Sequence, residues 1–283
     1  MHLLGAEVSL LLDSIRTRAT DERARKLRDI ISQVLLYGFL TPAGASKLRG
    51  RLGFYSSLLM GRLGRGMMGP LIRRQYGTHA TTLSPILKRN LLWWFNAIGS
   101  LPARSIPLRL GSPVGAHSEA QGFGHIAARS LLPEDITVSL HLPTWLIDMT
   151  IGLEEESPIF IFELAAAILA ACLAILRNDG NTRTCVLCID NKAALAALIK
   201  GPSSSELGAI LVNLFWSMAA RCPVLWWFEY VNTKANASDP PSRVCDAPMG
   251  LARNRASGAI PLEFARIFSS WGALHRESIL LSN

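Results

Sequence analysis

No Asp or Glu occurs between Ile30 and Ser118. A solvated protein face normally mixes charges of both signs, so this gap argues against an ordinary solvent-facing surface and for a polyanionic partner. Charged residues are sparse overall, at 18%, and aromatics make up 7% of the chain. Because 49% of the 283 residues are hydrophobic, global disorder is excluded and the length suits roughly two domains. The five cysteines (Cys172, Cys185, Cys188, Cys222 and Cys245) lack the dense spacing of a secreted disulfide scaffold. A reducing, intracellular setting, cytoplasmic or nuclear, is therefore expected. Residues 1–12 are apolar but have neither a basic n-region nor a small-residue cleavage site, which argues against a signal peptide. The one long apolar run, Ile159–Leu176, contains Glu163 and is rich in alanine. It reads as a core helix rather than a membrane span, and no membrane partner is expected.

What fills the acid-free span is basic: Lys47, Arg49, Arg51, Arg62, Arg65, Arg73, Arg74, Lys88, Arg89, Arg104 and Arg109. They contribute to a net charge of +8 and a pI near 9.6. Phosphate contacts from such a stripe give salt-sensitive binding that is largely independent of sequence. Gly50, Gly53, Gly61, Gly64, Gly66 and Gly69 are interleaved with it and would let the backbone approach a ligand closely. Trp93-Trp94-Phe95 offers rings that could stack on bases, although adjacent aromatics at a helix end more commonly belong to a core.

Periodicity and turn residues divide the chain. Leu3–Leu12 reads as a strand with Asp13-Ser14 as its turn; a helix capped near Thr20 runs to Gly38, and Thr41-Pro42 opens a second helix with Ala45, Leu48, Leu52 and Tyr55 on one face. A Pro/Gly-rich linker follows over 101–113. Residues 114–120, 122–129 and 138–142 are short and rich in strand formers, consistent with an antiparallel meander. Next come the helix with Glu163, a strand ending at Asp190, a helix over Lys192–Lys200, a longer helix capped by Ser203 or Ser204, a strand over Val224–Val231, and a turn-and-helix segment at 236–243. The order β-β-β-α-β-α-α-β-α predicts an α/β fold, a mixed sheet with helices on its faces.

Two carboxylates in this second part have unusually apolar neighbours. Glu163 opens the Ala/Leu/Ile run and Asp190 closes Cys185-Val186-Leu187-Cys188-Ile189. An acid in the first turn of a helix and another at a strand end can converge on a divalent cation, which needs several oxygen ligands. The residues also allow a plainer reading, with Glu163 favoured by the helix dipole and Asp190 an N-cap for the helix after it. Cys185 and Cys188 lie three apart on a strand and point to opposite faces, which disfavours a zinc site.

The sequence resembles a retroelement reverse transcriptase over residues 3–245. LGAEVSLL at 4–11 and LTPAGASKLRGRLGFYSSLLMGRLGR at 40–65 are similar to the primer-grip strand and helical thumb of gypsy and tyrosine-recombinase retroelements. Ser118-Glu119-Ala120, Phe162-Glu163-Leu164, Ile189-Asp190-Asn191 with Ala193-Ala194-Leu195, and the run from Thr233-Lys234 through Asn236 and Asp239 to Ser242-Arg243 resemble, in order, the motifs of a ribonuclease H-like domain.

The resemblance implies a palm remnant at 1–12, a basic, mainly helical thumb/connection at 13–100, the linker at 101–113, and a ribonuclease H-like five-stranded mixed sheet at 114–245. The tail at 246–283 matches no motif. It also implies two Mg²⁺ ions (or Mn²⁺), with Glu119 bridging both, Glu163 and Asp190 assisting, and Asp239 completing the second site. Lys47, Arg49, Arg51, Arg62, Arg65, Arg73, Arg74, Asn191 and Lys234 would contact an RNA–DNA hybrid or another duplex. Tyr-x-Asp-Asp is absent from these residues, so a palm would lie upstream and no polymerase activity is expected. The chain departs from the pattern at Glu119, where the family carries Asp. One added methylene can displace a ligating carboxylate by about 1 Å, at a cost of about 10²-fold in rate. Two functions therefore stand: hydrolysis of the RNA strand of hybrids, or a catalytically degenerate module that binds nucleic acid.

Overall fold

The computed structural model describes residues 2–3, 5–59, 61–77, 81–101, 103–108, 113–121, 124–130, 136–151, 158–176, 183–222, 224–242 and 264. These form two compact units, the first from residues 2–108 with Trp216–Arg221 and the second from the remainder up to Phe264. Arg109, the end of the linker, Arg243 and the 246–283 tail apart from Phe264 lie outside the described residues.

The first unit combines a four-stranded antiparallel sheet with helices. Its strands are β1 (His2–Leu3), β2 (Ala6–Leu10), β3 (Ser14–Ala19) and β4 (Arg104–Pro107), in the order β1-β2-β3-β4. The strand predicted over Leu3–Leu12 is thus broken at Gly5, whose φ of 80° suits glycine, and Ser14 starts the next strand instead of making a turn. The stretch read as a linker contributes β4, in which Ile106 pairs with Ile15 and Arg104 with Thr17.

The helices start and stop where side-chain chemistry places them. In α1 (Asp21–Tyr37), Thr20 caps the start by accepting from the Arg23 N–H, and Gly38 ends it at φ 64°. In α2 (Pro42–Leu59), the Gly44 N–H donates to Thr41 Oγ1 at 3.0 Å. Ala45, Leu48, Leu52 and Tyr55 are buried, as their spacing predicts. Helix α3 (Gly69–Tyr76) packs on α2, and α4 (Pro85–Ser100) packs on α1.

Trp94 is fully buried, midway along α4 and not at a helix end, and meets Trp93 edge to face. The close approach at Gly64 is to this ring and not to a ligand. A Cβ there would stand 2.1 Å from Trp94, while Cβ atoms at Gly50 and Gly53 would meet open space.

The second unit is a five-stranded mixed sheet in the order β7-β6-β5-β8-β9, consistent with a ribonuclease H-like fold. Its strands are β5 (Val114–Ala120), β6 (His125–Ser130), β7 (Ile136–His141), β8 (Arg183–Ile189) and β9 (Val224–Tyr230). The first three form the predicted meander, and β5–β8 and β8–β9 pair in parallel.

Five helices accompany the sheet: α5 (Thr144–Ile151), α6 (Pro158–Leu176), α7 (Lys192–Lys200), α8 (Glu206–Ala219) and α9 (Asp239–Ser242). Sequence reasoning missed α5, a single eight-residue apolar segment with little periodicity. Helix α6 lies across β5 and β6 and is buried on nearly every side from Ile161 to Ala174. Its alanines allow a close approach to the sheet, and an all-round apolar surface is that of a core helix. Among the described residues it is the one helix long and apolar enough to cross a membrane, and 78% of that span is buried inside the protein.

Two caps differ from expectation. Asn191, not Asp190, caps α7, its Oδ1 accepting from the Ala193 and Ala194 N–H groups. Ser205 caps α8 by accepting from the Gly208 N–H at 2.9 Å. Of the adjacent tryptophans in β9, Trp226 meets Phe215 of α8 edge to face, while Trp227 is 62% exposed.

Candidate metal centre

Three elements bring three carboxylates together. Glu119 is the penultimate residue of the central strand β5, Asp190 follows the end of β8 beside it, and Glu163 projects from α6. Parallel pairing aligns Ser118 with Ile189, so the acids that follow them emerge side by side. Glu163 belongs to the second turn of α6, not the first. From there it reaches the end of β5, where the Ala120 N–H donates to its Oε1 at 3.0 Å. One ligand oxygen from each of the three acids lies within 4.8 Å of the others.

The electrostatics match that crowding. Glu119 and Glu163 are 6% and 2% exposed. Burial, reinforced by the Asp190 and Asp239 carboxylates, pushes Glu119 up to about 8, with Asn236 opposing. Burial, then the Glu119 and Asp190 charges, raises Glu163 well above the usual carboxylate range against the Ala120 N–H. Oε2 of Glu163 is buried with no hydrogen-bond partner among the described residues. Orphaned buried carboxylate oxygen is costly unless a cation satisfies it. An all-oxygen, all-carboxylate donor set selects a hard divalent ion such as Mg²⁺ or Mn²⁺ over softer metals. The residues present therefore fit such an ion.

Asp239 heads α9, which packs against β5, β6 and β7, and its charge acts on Glu119. It is not one of the three converging ligands.

Two residues given no role from the sequence prove to be part of the centre. Asn236 is 3% exposed and donates from Nδ2 to Glu119 Oε2 at 2.6 Å and to the Ser118 carbonyl at 2.8 Å. Thr233 Oγ1 donates to Asp190 Oδ2 at 2.7 Å. The signal for them was their place in the motif run from Thr233 to Arg243, which named them without assigning either a contact. His117 of β5 faces Asn236 Oδ1 at 3.3 Å, and burial lowers its pKa.

The basic residues divide by what they touch. Lys47, Arg49 and Arg51 lie on α2, Arg62 and Arg65 in the turn after it, and Arg73 and Arg74 on α3. Lys47, Arg51, Arg65 and Arg73 are exposed. Arg49 is half-buried and donates to Gln75 Oε1 at 2.7 Å, and Arg74 donates to the Thr82 carbonyl. Arg62 is half-buried and its pKa lowered, first by burial and then by Arg65. Asn191 spends its Oδ1 on capping α7, and Lys234 is exposed in a single 3-10 turn, Thr233–Ala235.

No protein-family model matches the sequence, and no curated protein matches it. A solved structure of a foamy viral protease-reverse transcriptase in complex with double-stranded DNA is similar to this chain at 12% identity and a TM-score of 0.28. The match covers 78% of this chain and 38% of the other, so the chain spans well under half the length of that protein.

Proposed function

We propose that the second unit is a divalent-metal-dependent nuclease of the ribonuclease H type that hydrolyses the RNA strand of RNA–DNA hybrids. The observation that carries this reading is the convergence of Glu119, Glu163 and Asp190, with a buried Glu163 oxygen that has no hydrogen-bond partner among the described residues. Glu119, Glu163 and Asp190 would hold the ion, and Asp239 would supply the further carboxylate that a two-ion arrangement needs. Bound Mg²⁺ supplies an activated water and neutralises charge developing on the phosphate.

The chain's own residues do the rest. The Ala120 N–H aims Glu163 and Thr233 aims Asp190, and burial raises the pKa of both Glu119 and Glu163, so a bound cation would compete with their protons. The first unit, read as a thumb and connection, would grip the duplex through Lys47, Arg51, Arg65 and Arg73. Asn191 and Lys234 would meet it beside the acids. A palm upstream and a reducing intracellular compartment complete the reading.

The test is a hybrid labelled on each strand in turn, with RNA and DNA duplexes beside it, in Mg²⁺ and in Mn²⁺. Loss of the RNA strand alone, abolished by Asp190→Asn, is the expected result. Salt-sensitive binding without cutting would instead support the degenerate binding module, which the glutamate at position 119 keeps in view.

A further inference from the structure

The first unit leaves three aromatic rings in water: Tyr37 is 76% exposed, Phe39 48% and Tyr76 71%. Exposed apolar groups that gather at one place mark a binding surface. Here the backbone gathers them. Tyr37 is the last residue of α1, and Phe39 follows just beyond Gly38. The Leu40 N–H donates to the Thr81 carbonyl at 2.8 Å and the Leu83 N–H to the Gly38 carbonyl at 3.0 Å, which sets Phe39 opposite Thr82. From the last turn of α3, the Arg74 guanidinium donates to the Thr82 carbonyl. Phe39 and the end of α3, which carries Tyr76, are thus held to the same residue. On α3, Pro70 and Leu71 are buried, while Ile72, Arg73 and Tyr76 are exposed. Positions i+3 and i+4 fall on one side of a helix, so those three exposed side chains share the outward face.

Charge decides what such a surface takes. No acid lies between Ile30 and Ser118, so the rings stand beside Arg73 in a stretch without a carboxylate. Neutral rings next to a cation match a nucleotide, whose base has a π-face and whose phosphate is anionic. A duplex offers only its phosphates to this surface, because its base faces are stacked against one another. Unpaired nucleotides offer both groups. We propose that Phe39 and Tyr76, with Tyr37 beside them, form a surface for single-stranded nucleic acid: unpaired bases stack on the rings while Arg73 holds a phosphate. Binding of this kind tolerates any base sequence, since every base has a π-face. The surface lies wholly within the first unit and does not depend on the metal centre. A hybrid with an unpaired extension would engage it, and a blunt hybrid would not.

The experiment follows fluorescence anisotropy of labelled oligonucleotides of one length on titration with the full chain. The probes are a mixed-sequence single strand, the same backbone without bases, and a blunt RNA–DNA hybrid. Phe39→Ala and Tyr76→Ala are each expected to weaken single-strand binding about tenfold, the loss that removing one stacked ring brings. The blunt hybrid should bind both variants as it binds the unaltered chain. Tyr76→Trp keeps a ring in place and should keep the single-strand affinity. The abasic strand should bind the unaltered chain more weakly than the strand with bases does.

Equal affinity for the abasic and the base-bearing strand would show a purely ionic contact and overturn the proposal. That comparison uses the unaltered chain alone, so it stands even if an alanine variant fails to fold. Single-strand binding unchanged in both alanine variants also overturns it, as does an equal loss for the blunt hybrid. An unaltered chain that binds no single strand, and whose rings instead join two copies in light scattering, would assign the surface to a protein contact and sink the idea.

Discussion

The backbone N–H of Ala120 donates to Oε1 of Glu163 at 3.0 Å, joining the last residue of β5 to the second turn of α6 across 43 residues of sequence. That single hydrogen bond fixes one oxygen and turns the other, Oε2, into a buried group without a hydrogen-bond partner among the described residues. A buried oxygen in that position is costly to leave unsatisfied, and a bound cation would satisfy it.

Replacing that oxygen by an amide should separate stability from metal binding. Glu163→Gln removes a buried acid whose pKa burial raises well above the usual carboxylate range. At pH 8 in chelator, its melting temperature should lie above that of the unaltered chain. Addition of Mg²⁺ should raise the unaltered chain and leave the variant where it was. Equal metal-induced shifts in both would contradict the ligand role.

The pH dependence has a definite sign. Glu119 sits at about 8 in the folded chain, whereas an unfolded glutamate titrates near about 4.3. Between those values the folded state holds a proton that the unfolded state releases. Metal-free stability therefore falls as pH rises from about 4.5 to about 8. Glu163, also raised, adds to the same trend. Mg²⁺ competes with those protons, so its stabilising effect should grow over that window. Melting curves across the range, with and without Mg²⁺, check both slopes.

The exposed and the engaged arginines should behave differently. Neutralising Lys47, Arg51 and Arg73 is expected to weaken hybrid binding and flatten its salt dependence, by about 0.9 in slope for each phosphate that is no longer neutralised. Arg49→Ala, which removes a hydrogen bond to Gln75, should cost stability as well. Filter binding over a salt series, paired with urea unfolding, distinguishes the two effects.

Gly64 offers a check on the first unit alone. It has φ 78°, and a Cβ would overlap the buried Trp94 ring at 2.1 Å. Gly64→Ala should destabilise by about 3 kcal/mol, combining a left-handed backbone penalty with overpacking. Urea unfolding followed by tryptophan fluorescence measures it.

Much of this architecture was legible in local chemistry. Strand β5 has the bounds read from its short run of strand formers, α7 runs from Lys192 to Lys200 as expected, and Thr20, Gly38 and Thr41 mark helix ends because capping acts over three or four residues. What escaped depends on partners distant in sequence. Strand β4 is defined by pairing with Ser14–Thr17, some ninety residues earlier, and no pattern in four residues reveals that. The acids Glu119, Glu163 and Asp190 could be singled out by type and apolar setting, but their convergence needed the parallel register of β5 with β8. Asn236 and Thr233 stood in the motif run that ends at Arg243, but without a role, because their partners Glu119 and Asp190 lie far away in sequence.

The central claim is that three carboxylates from β5, α6 and the end of β8 form a divalent-metal centre. The most direct measurement is anomalous diffraction from crystals of the full chain grown or soaked with Mn²⁺. The account predicts an anomalous peak within coordinating distance of Glu119, Glu163 and Asp190, and its loss in Asp190→Asn. A map with the three carboxylates in place and manganese only elsewhere would contradict it.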